Sequence, residues 1–225
     1  MRKLPTSGSE TPYTPHMFPR RMGNCYSFAI GRRTRDHKLQ PGELAGASNR
    51  ANPSSSCAAL SNLMARDAAA GKVAMYRAAA GTRCRPGFYK IASALDPGRD
   101  YHFYRQMGAV TVRPRRGASA SASASAIARA FGAPPSSARR NRGGSVTVRG
   151  SGAWAHKRGL ATGAVLEDAC GRAIKDPRAA CRSYGDLDYR RFCEFWCVMP
   201  RGRRPPNSGG GARPRRPRGS RGRRG

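Results

Sequence analysis

Apolar residues occur in a few short runs along this chain, separated by stretches rich in Arg, Pro, Gly and Ser. The run at 25–30 follows Asn24, a residue type that favours the N-cap of a helix. It predicts a short helix with Cys25 in its first turn. Residues 57–79 are rich in Ala and carry larger apolar residues at helical spacing. They predict a second helix at about 56–70.

Two aromatic and β-branched runs, 88–95 and 101–106, flank the turn sequence Asp-Pro-Gly-Arg-Asp at 96–100. This arrangement predicts a β-hairpin. Side chains alternate across a strand. His102 and Tyr104 are therefore expected on one face of the second strand, with Tyr101 and Phe103 on the other.

The later part of the chain predicts shorter elements. Residues 164–166 have the composition of a short strand, and 189–199 that of an aromatic strand that ends the domain. Asp176 followed by Pro177 is typical of a helix start, and it predicts a helix that ends at about 184. Few helices and several hairpin-linked strands predict an α+β fold with a mostly antiparallel sheet.

Three segments have compositions that cannot bury a core. We expect residues 1–22 to form a disordered lead, 109–150 a disordered insert and 201–225 a disordered Arg/Gly/Pro-rich tail. The ends of the insert, 109–112 and 145–149, have strand composition and would extend the flanking strands as a ribbon. The prediction is therefore a single domain at 23–200, interrupted by the insert.

The formal net charge is +31, and much of it lies in these segments. Residues 201–225 contain ten Arg and no acid, and 109–153 contain eight Arg and no acid. Such segments bind polyanions by releasing counterions, so RNA or DNA is an expected partner of the tail and insert. Codon drift in a GC-rich genome is the alternative origin of this composition. The candidate nucleic-acid-binding residues are Arg213, Arg215, Arg216, Arg218, Arg221, Arg223 and Arg224.

No apolar run is long enough to span a membrane, and the N-terminus lacks the apolar core of a secretory signal. An intracellular or virion-associated location is therefore favoured. An odd number of cysteines, seven, without such a signal argues against a disulfide framework. Cys193 and Cys197 form the only close pair, which leaves a zinc site as an alternative. We expect no metal and no other cofactor.

Cys25, His102 and His156 are the candidate catalytic residues. A thiol in the first turn of a helix faces the positive end of the helix dipole, which favours the reactive thiolate. A histidine on a nearby strand would serve as the base, and a second histidine would fix its tautomer. Cys25 as a small buried apolar residue is the alternative. Asp168 and Glu167 are alternative orienting groups.

The order of a helix-leading Cys, a strand His and a second strand His resembles the NlpC-like branch of the papain-like cysteine hydrolases. In that branch the second His follows about a dozen residues after the first. The 54 residues between His102 and His156 fall to 12 when 109–150 is removed. Asn24 and Tyr26 replace the Asp and Ser that usually flank the Cys, so the wall-peptide specificity of the branch is not implied.

Further motifs are similar to a poorly characterised set of proteins from large DNA viruses and mollusc shell matrix. They are NCY at 24–26, QPG at 40–42, DYHFYRQ at 100–106, WAHK at 154–157 and FCEFWCV at 192–198. The resemblance implies a papain-like fold with Cys25 as nucleophile, His102 as base and His156 as orienting group.

Two functions from different classes follow. One is a thiol hydrolase or acyl or peptidyl transferase acting on an amide or ester, localised by a polybasic tail. The alternative is a nucleic-acid-binding or packaging protein on a catalytically inactive papain-like scaffold. The aromatic residues of the strands could then stack on bases, although aromatic strands more often form core.

Overall fold

The computed structural model describes residues 3–47, 52–114 and 120–200, with the backbone alone at 120–123. In these ranges the α-helices are α1 (Cys25–Ala29), α2 (Cys57–Ala69) and α3 (Ala120–Ala130). None of the helices described is long and apolar enough to cross a membrane. The strands are β1 (Met75–Ala78), β2 (Tyr89–Asp96), β3 (Asp100–Gln106), β4 (Val110–Val112), β5 (Ala138–Arg140), β6 (Val146–Val148), β7 (Trp154–Lys157), β8 (Ala164–Val165), β9 (Ser183–Tyr184), β10 (Leu187–Asp188) and β11 (Arg191–Val198).

The main sheet has six strands in the order β1-β11-β2-β3-β7-β8, and every neighbouring pair is antiparallel. The predicted hairpin is its centre, with Ala94 opposite His102 across β2 and β3. The α+β class, the two N-terminal helices and the strands at β8 and β11 are confirmed.

The two faces of the sheet pack against different parts of the chain. Helices α1 and α2 cover one face, where Tyr101 and Phe103 join the buried cluster. The other face carries Tyr104 and Trp154 and is covered by the N-terminal segment and the loops after β8. The predicted alternation of side chains along β3 is therefore confirmed.

Asp67 of α2 connects α2 to α1 and to the Gln-Pro-Gly turn by hydrogen bonds. Its buried carboxylate accepts hydrogen bonds from the Tyr26 hydroxyl of α1 at 2.7 Å and from the backbone N–H groups of Gly42 and Ala45 at 2.8 and 3.0 Å. The Gln-Pro-Gly turn is thereby held between α1 and α2. This matters for the site because Gln40 lies at the start of that turn.

The N-terminal segment is packed onto the domain, which differs from the predicted disorder of 1–22. In the described part of it, residues 3–22, Leu4, Tyr13 and Phe18 are buried. Tyr13 bridges to Val110, and its backbone N–H donates to the carbonyl of Ala109. A few well-placed apolar side chains suffice here because they fill gaps in a core built by other segments.

The insert also departs from predicted disorder in its described ranges, 109–114 and 120–150. Strands β4, β6 and β5 form a separate three-stranded sheet on which α3 packs. Val110 pairs with Val148 across β4 and β6, so the two ends of the insert pair with each other as predicted. They do so in this separate sheet, and the predicted extension of the flanking strands β3 and β7 is wrong. Alanine-rich sequence is compatible with this packing because Ala128 and Ala133 are small enough to sit against the strands.

The helix predicted after Asp176 is absent, and that prediction is wrong. Residues 177–182 form turns, followed by β9. The Asp176 carboxylate accepts hydrogen bonds from both the backbone N–H and the guanidinium of Arg178. Its acceptor capacity therefore closes a local turn instead of capping a continuing helix.

The prediction against a disulfide framework is wrong. Three disulfides are present, Cys57–Cys193, Cys84–Cys197 and Cys170–Cys181. The first two connect β11 to α2 and to the loop before β2. Cys193 and Cys197 belong to different disulfides, so they do not form the zinc pair considered above. The odd cysteine is Cys25, the single free and buried thiol among the seven, all of which lie in the described ranges.

We predict that removing a long-range disulfide costs more stability than removing the short-range one. The Cys57–Cys193 bond spans 136 residues and the Cys170–Cys181 bond spans 11, and closing a longer loop removes more entropy from the unfolded chain. The double variant Cys57→Ser, Cys193→Ser should lower the free energy of unfolding by about 2–4 kcal/mol in urea denaturation. The matched control Cys170→Ser, Cys181→Ser should lower it less. Equal losses would contradict this prediction.

Candidate functional site

Cys25 is held at the start of α1 by a well-defined cap. The side-chain oxygen of Asn24 accepts from the backbone N–H of Ser27 at 3.1 Å, as predicted for an N-cap residue. The Asn24 amide donates to the carbonyl of Leu39. Gly23 has a φ of +71°, and a Cβ there would lie 2.5 Å from Cβ of Ser27. The entry to the helix therefore requires glycine at this position.

The sulfur of Cys25 lies against an open edge of β3. Strand β7 pairs with β3 only from Tyr104 to Gln106, which leaves the first residues of β3 without a partner on that side. The Cys25 thiol lies 3.8 Å from the carbonyl oxygen of Tyr101. The backbone N–H of Phe103 also interacts with the sulfur. Because these groups belong to the residues before and after His102, the thiol lies beside the main chain of His102.

The two candidate histidines form a hydrogen-bonded pair. Nε2 of His102 is 2.7 Å from Nδ1 of His156, and Nε2 of His156 is 2.8 Å from the carbonyl oxygen of Glu167. A carbonyl only accepts, so neutral His156 carries its proton on Nε2 and accepts at Nδ1. His102 then carries its proton on Nε2, which leaves Nδ1 unprotonated. In the described part of the chain, Nδ1 of His102 has no hydrogen-bond partner.

Both imidazoles are neutral near pH 7. Burial lowers the pKa of His102 well below its usual value, and the neighbouring His156, Arg158 and Arg182 add to this effect. Burial also lowers the pKa of His156 to about 4, although its hydrogen bond to the Glu167 carbonyl acts in the opposite direction. His102 therefore has the protonation state of a general base.

The expected thiolate at Cys25 does not fit the structure. Burial raises the pKa of Cys25 to about 12, and the negative charge of Asp100 raises it further. The backbone N–H groups of Phe103, Tyr26 and Cys25 favour the thiolate but are outweighed. Helix α1 has only five residues, so its dipole is small compared with the cost of desolvating an anion. The cavity therefore holds a protonated thiol at Cys25 and a neutral imidazole at His102.

Cys25 and His102 line one cavity of about 390 Å³. His156 is fully buried behind His102 and does not line the cavity. It is connected to the cavity through its hydrogen bond with the His102 ring. The remaining residues of the wall are Asn24, Lys38, Gln40, Asp100, Tyr101, Arg158, Gly159, Tyr184, Leu187 and Tyr189. Cys25 and His102 thus share one cavity, and His156 joins them only through its hydrogen bond to His102. Among the described residues, no hydrogen bond connects the Cys25 sulfur to either imidazole.

Sequence reasoning missed Asp100 and Tyr189 as parts of this site. The Tyr189 hydroxyl donates to the Asp100 carboxylate at 2.7 Å, and its ring lies 4.9 Å from the ring of His102, centroid to centroid. Asp100 was interpreted only as a turn residue and Tyr189 only as the start of a strand. The position of Asp100 within the DYHFYRQ motif was the available signal.

The alternative orienting groups do not contact His102. Glu167 contributes its backbone carbonyl to His156, and its carboxylate has no part in that contact. The Asp168 carboxylate accepts from the backbone N–H groups of Cys170, Arg172 and Cys181, which closes the small disulfide loop. His37 pairs with Glu43 at the surface, as expected for a polar loop.

The strand aromatics serve as core. Tyr101, Phe103, Tyr104 and Trp196 are all buried, so their rings are not available for stacking on bases. His156 is also buried, so its imidazole is not available at the surface as a ligand for phosphate. No cluster of metal-ligating side chains occurs in the described ranges. The seven arginines proposed to bind nucleic acid lie at 213–224, outside the described residues.

Comparison with known proteins adds no relative to this picture. No family model matches the chain, and no curated protein or solved structure matches it. The resemblance to NlpC-like hydrolases therefore rests on the quoted motifs alone and stays a prediction.

Proposed function

We propose that the protein is a thiol hydrolase or acyl transferase in which Cys25 attacks the carbonyl carbon of an amide or ester. The observation that carries this proposal is the hydrogen-bond chain from His102 through His156 to the Glu167 carbonyl, beside the one free thiol. A buried thiol alone would have little significance. A buried thiol that shares a cavity with an imidazole whose second nitrogen is unprotonated has the components that nucleophilic catalysis needs.

In the first step the sulfur forms a bond to the substrate carbonyl carbon while its proton passes to Nδ1 of His102. The tetrahedral intermediate then collapses, and the protonated His102 gives that proton to the leaving amine or alcohol. A thioester remains on Cys25. Water or an acceptor amine attacks it, with His102 again taking a proton, and the free thiol is restored as the acyl product leaves.

His156 has a positioning role in this scheme. When His102 becomes an imidazolium, its Nε2–H still donates to Nδ1 of His156, so the ring keeps its orientation throughout the cycle. The Glu167 carbonyl in turn prevents His156 from reversing its tautomer. A papain-like scaffold is part of the same proposal. It is supported by an N-terminal helix that presents the Cys to a mostly antiparallel sheet with both histidines.

The basic tail supports nucleic-acid binding as a second function. Ten Arg and no acid in residues 201–225 give a segment that binds any polyanion by counterion release. The two functions are compatible, since such a tail can localise an enzyme.

For the tail, we predict that binding of the full chain to a random-sequence duplex weakens steeply with salt. Removing residues 201–225 should flatten the slope of log affinity against log salt, because each lost phosphate contact lowers that slope by about one. Fluorescence anisotropy at several salt concentrations measures both slopes. Equal slopes for the two proteins would exclude the tail as the binding element.

For the thiol, we predict that 4-nitrophenyl acetate gives a burst of one equivalent of 4-nitrophenolate as Cys25 is acylated. Cys25→Ala should abolish the burst. His102→Gln should slow it about 10²–10⁴-fold, because the general base is lost. The control His37→Ala removes a surface histidine and should leave the burst unchanged. Mass spectrometry of the acetylated peptide identifies the residue. An unchanged burst in His102→Gln would reject the proposed base.

The pH dependence of this acylation should distinguish a general-base mechanism from a preformed ion pair. The pKa of His102 lies well below its usual value, so the rate should hold at pH 6.5 and fall only at lower pH, as His102 becomes protonated. The pKa of Cys25 is about 12, so no loss of rate is expected between pH 7 and 10. A thiolate–imidazolium pair would instead lose activity when the imidazolium deprotonates in that range. Stopped-flow burst rates measure the profile.

A further inference from the structure

Two cationic side chains stand at the rim of the Cys25 cavity. Lys38 and Arg158 line it and are exposed, whereas Cys25 and His102 lie buried in the same cavity. Both cations therefore belong to the solvent-exposed part of the wall of the cavity that contains the sulfur. No acid in the described ranges pairs with either side chain, so both charges are available to a ligand.

Asp100 is the carboxylate in the cavity wall, and both of its oxygens accept hydrogen bonds from the protein. One of its oxygens accepts from the backbone N–H of Tyr101 at 2.8 Å, and the other accepts from the Tyr189 hydroxyl at 2.7 Å. Among the described residues, neither Lys38 nor Arg158 makes a salt bridge with Asp100 or with any other acid.

The loop that carries Arg158 is held in place by hydrogen bonds from Lys157. The preceding residue, Lys157, is fully buried, and its ammonium donates to the carbonyls of Gly159 and Thr162, which closes the loop that carries Arg158. The Arg158 guanidinium lies over the Tyr184 ring, 5.4 Å from its centroid, and Tyr184 is another residue of the cavity wall. The positive charge of Arg158 also reaches both imidazoles, where it lowers the pKa of His102 and of His156.

We propose that Lys38 and Arg158 form an anion subsite, so that the preferred amide or ester carries a carboxylate or phosphate group close to its reacting carbonyl. This inference rests on the proposed function, since it names the substrate class of the same site. The guanidinium suits a planar or tetrahedral oxyanion through paired N–H donors, and the lysine adds a second charge on a flexible stem.

Alkylation of Cys25 with iodoacetate and iodoacetamide tests the subsite in the full-length protein. With either reagent a bond forms between Sγ and the methylene carbon, iodide leaves, and the thiol proton passes to His102 and then to solvent. The reagents differ in charge at the group next to the reacting carbon. The readout is the ratio of the two rate constants, iodoacetate over iodoacetamide, relative to the same ratio for N-acetylcysteinamide.

We expect this ratio to exceed that of the free thiol. It should fall about 2–5-fold in Lys38→Gln and again in Arg158→Gln, as expected for exposed charges. It should also fall as salt screens the two cations. Lys72→Gln and Arg140→Gln remove exposed basic residues outside the cavity, and they should leave the ratio unchanged. These controls separate a local subsite from the overall positive charge of the chain.

Failure of the proposed function and failure of the anion subsite give different results in this experiment. If neither reagent alkylates Cys25 in a His102-dependent manner, the proposed function fails and the subsite with it. If both do so but the ratio equals that of the free thiol, or falls equally in the control variants, the subsite alone is rejected. If the subsite is supported, competition by acetate and by inorganic phosphate at equal ionic strength identifies which anionic group it prefers. Stronger slowing of iodoacetate by phosphate indicates a phosphate-bearing substrate, and stronger slowing by acetate a carboxylate.

Discussion

The hydrogen bond from Nε2 of His102 to Nδ1 of His156 is the interaction on which the proposed chemistry depends. It lies in a fully buried position, where an unpaired ring nitrogen would cost free energy. The Glu167 carbonyl beyond it fixes the direction of the proton along the chain. Without that carbonyl, both tautomers of His102 would be available, and Nδ1 would face the cavity as a base in only one of them.

The same burial that fixes the histidines also sets the charge state of the thiol. Removing Cys25 from water disfavours its anion more strongly than the nearby backbone N–H groups favour it, and Asp100 adds to the cost. The proposed reaction would therefore start from a neutral thiol and a neutral imidazole, with the proton transferred during the attack. The cations Lys38 and Arg158 in the cavity wall fit this arrangement, because an anionic substrate would place its negative charge beside them.

The architecture that holds the site is reinforced by long-range covalent bonds. Strand β11 lies next to β2 in the sheet and carries two disulfides, one to α2 and one to the loop before β2. The hairpin that presents His102 is thus attached to both sides of the fold. Disulfides persist in oxidising surroundings. Because the other six cysteines are paired, Cys25 is the one free thiol.

The sequence by itself determined the features that depend on near neighbours. The N-cap at Asn24, helix α2, the β2–β3 hairpin and the opposite faces of His102 and Tyr101 all follow from local spacing and turn chemistry. The candidate triad also came from sequence, once residues 109–150 were recognised as an addition between two strands. These features are local because capping, periodicity and turn geometry involve residues only a few positions apart.

Only the tertiary structure decided what depends on distant partners. Contacts between residues far apart in the chain produce the three disulfides, the sheet in the described part of the insert, the hydrogen bond from Tyr189 to Asp100 and the raised pKa of Cys25. The same holds for the placement of Lys38 and Arg158 in one cavity wall, where neither pairs with an acid among the described residues. Composition predicted disorder at α3, where small alanine side chains pack against strands. It also predicted a helix after Asp176, where the carboxylate instead accepts hydrogen bonds from the nearby Arg178. Burial and charge pairing are properties of the assembled core, and no local pattern contains them.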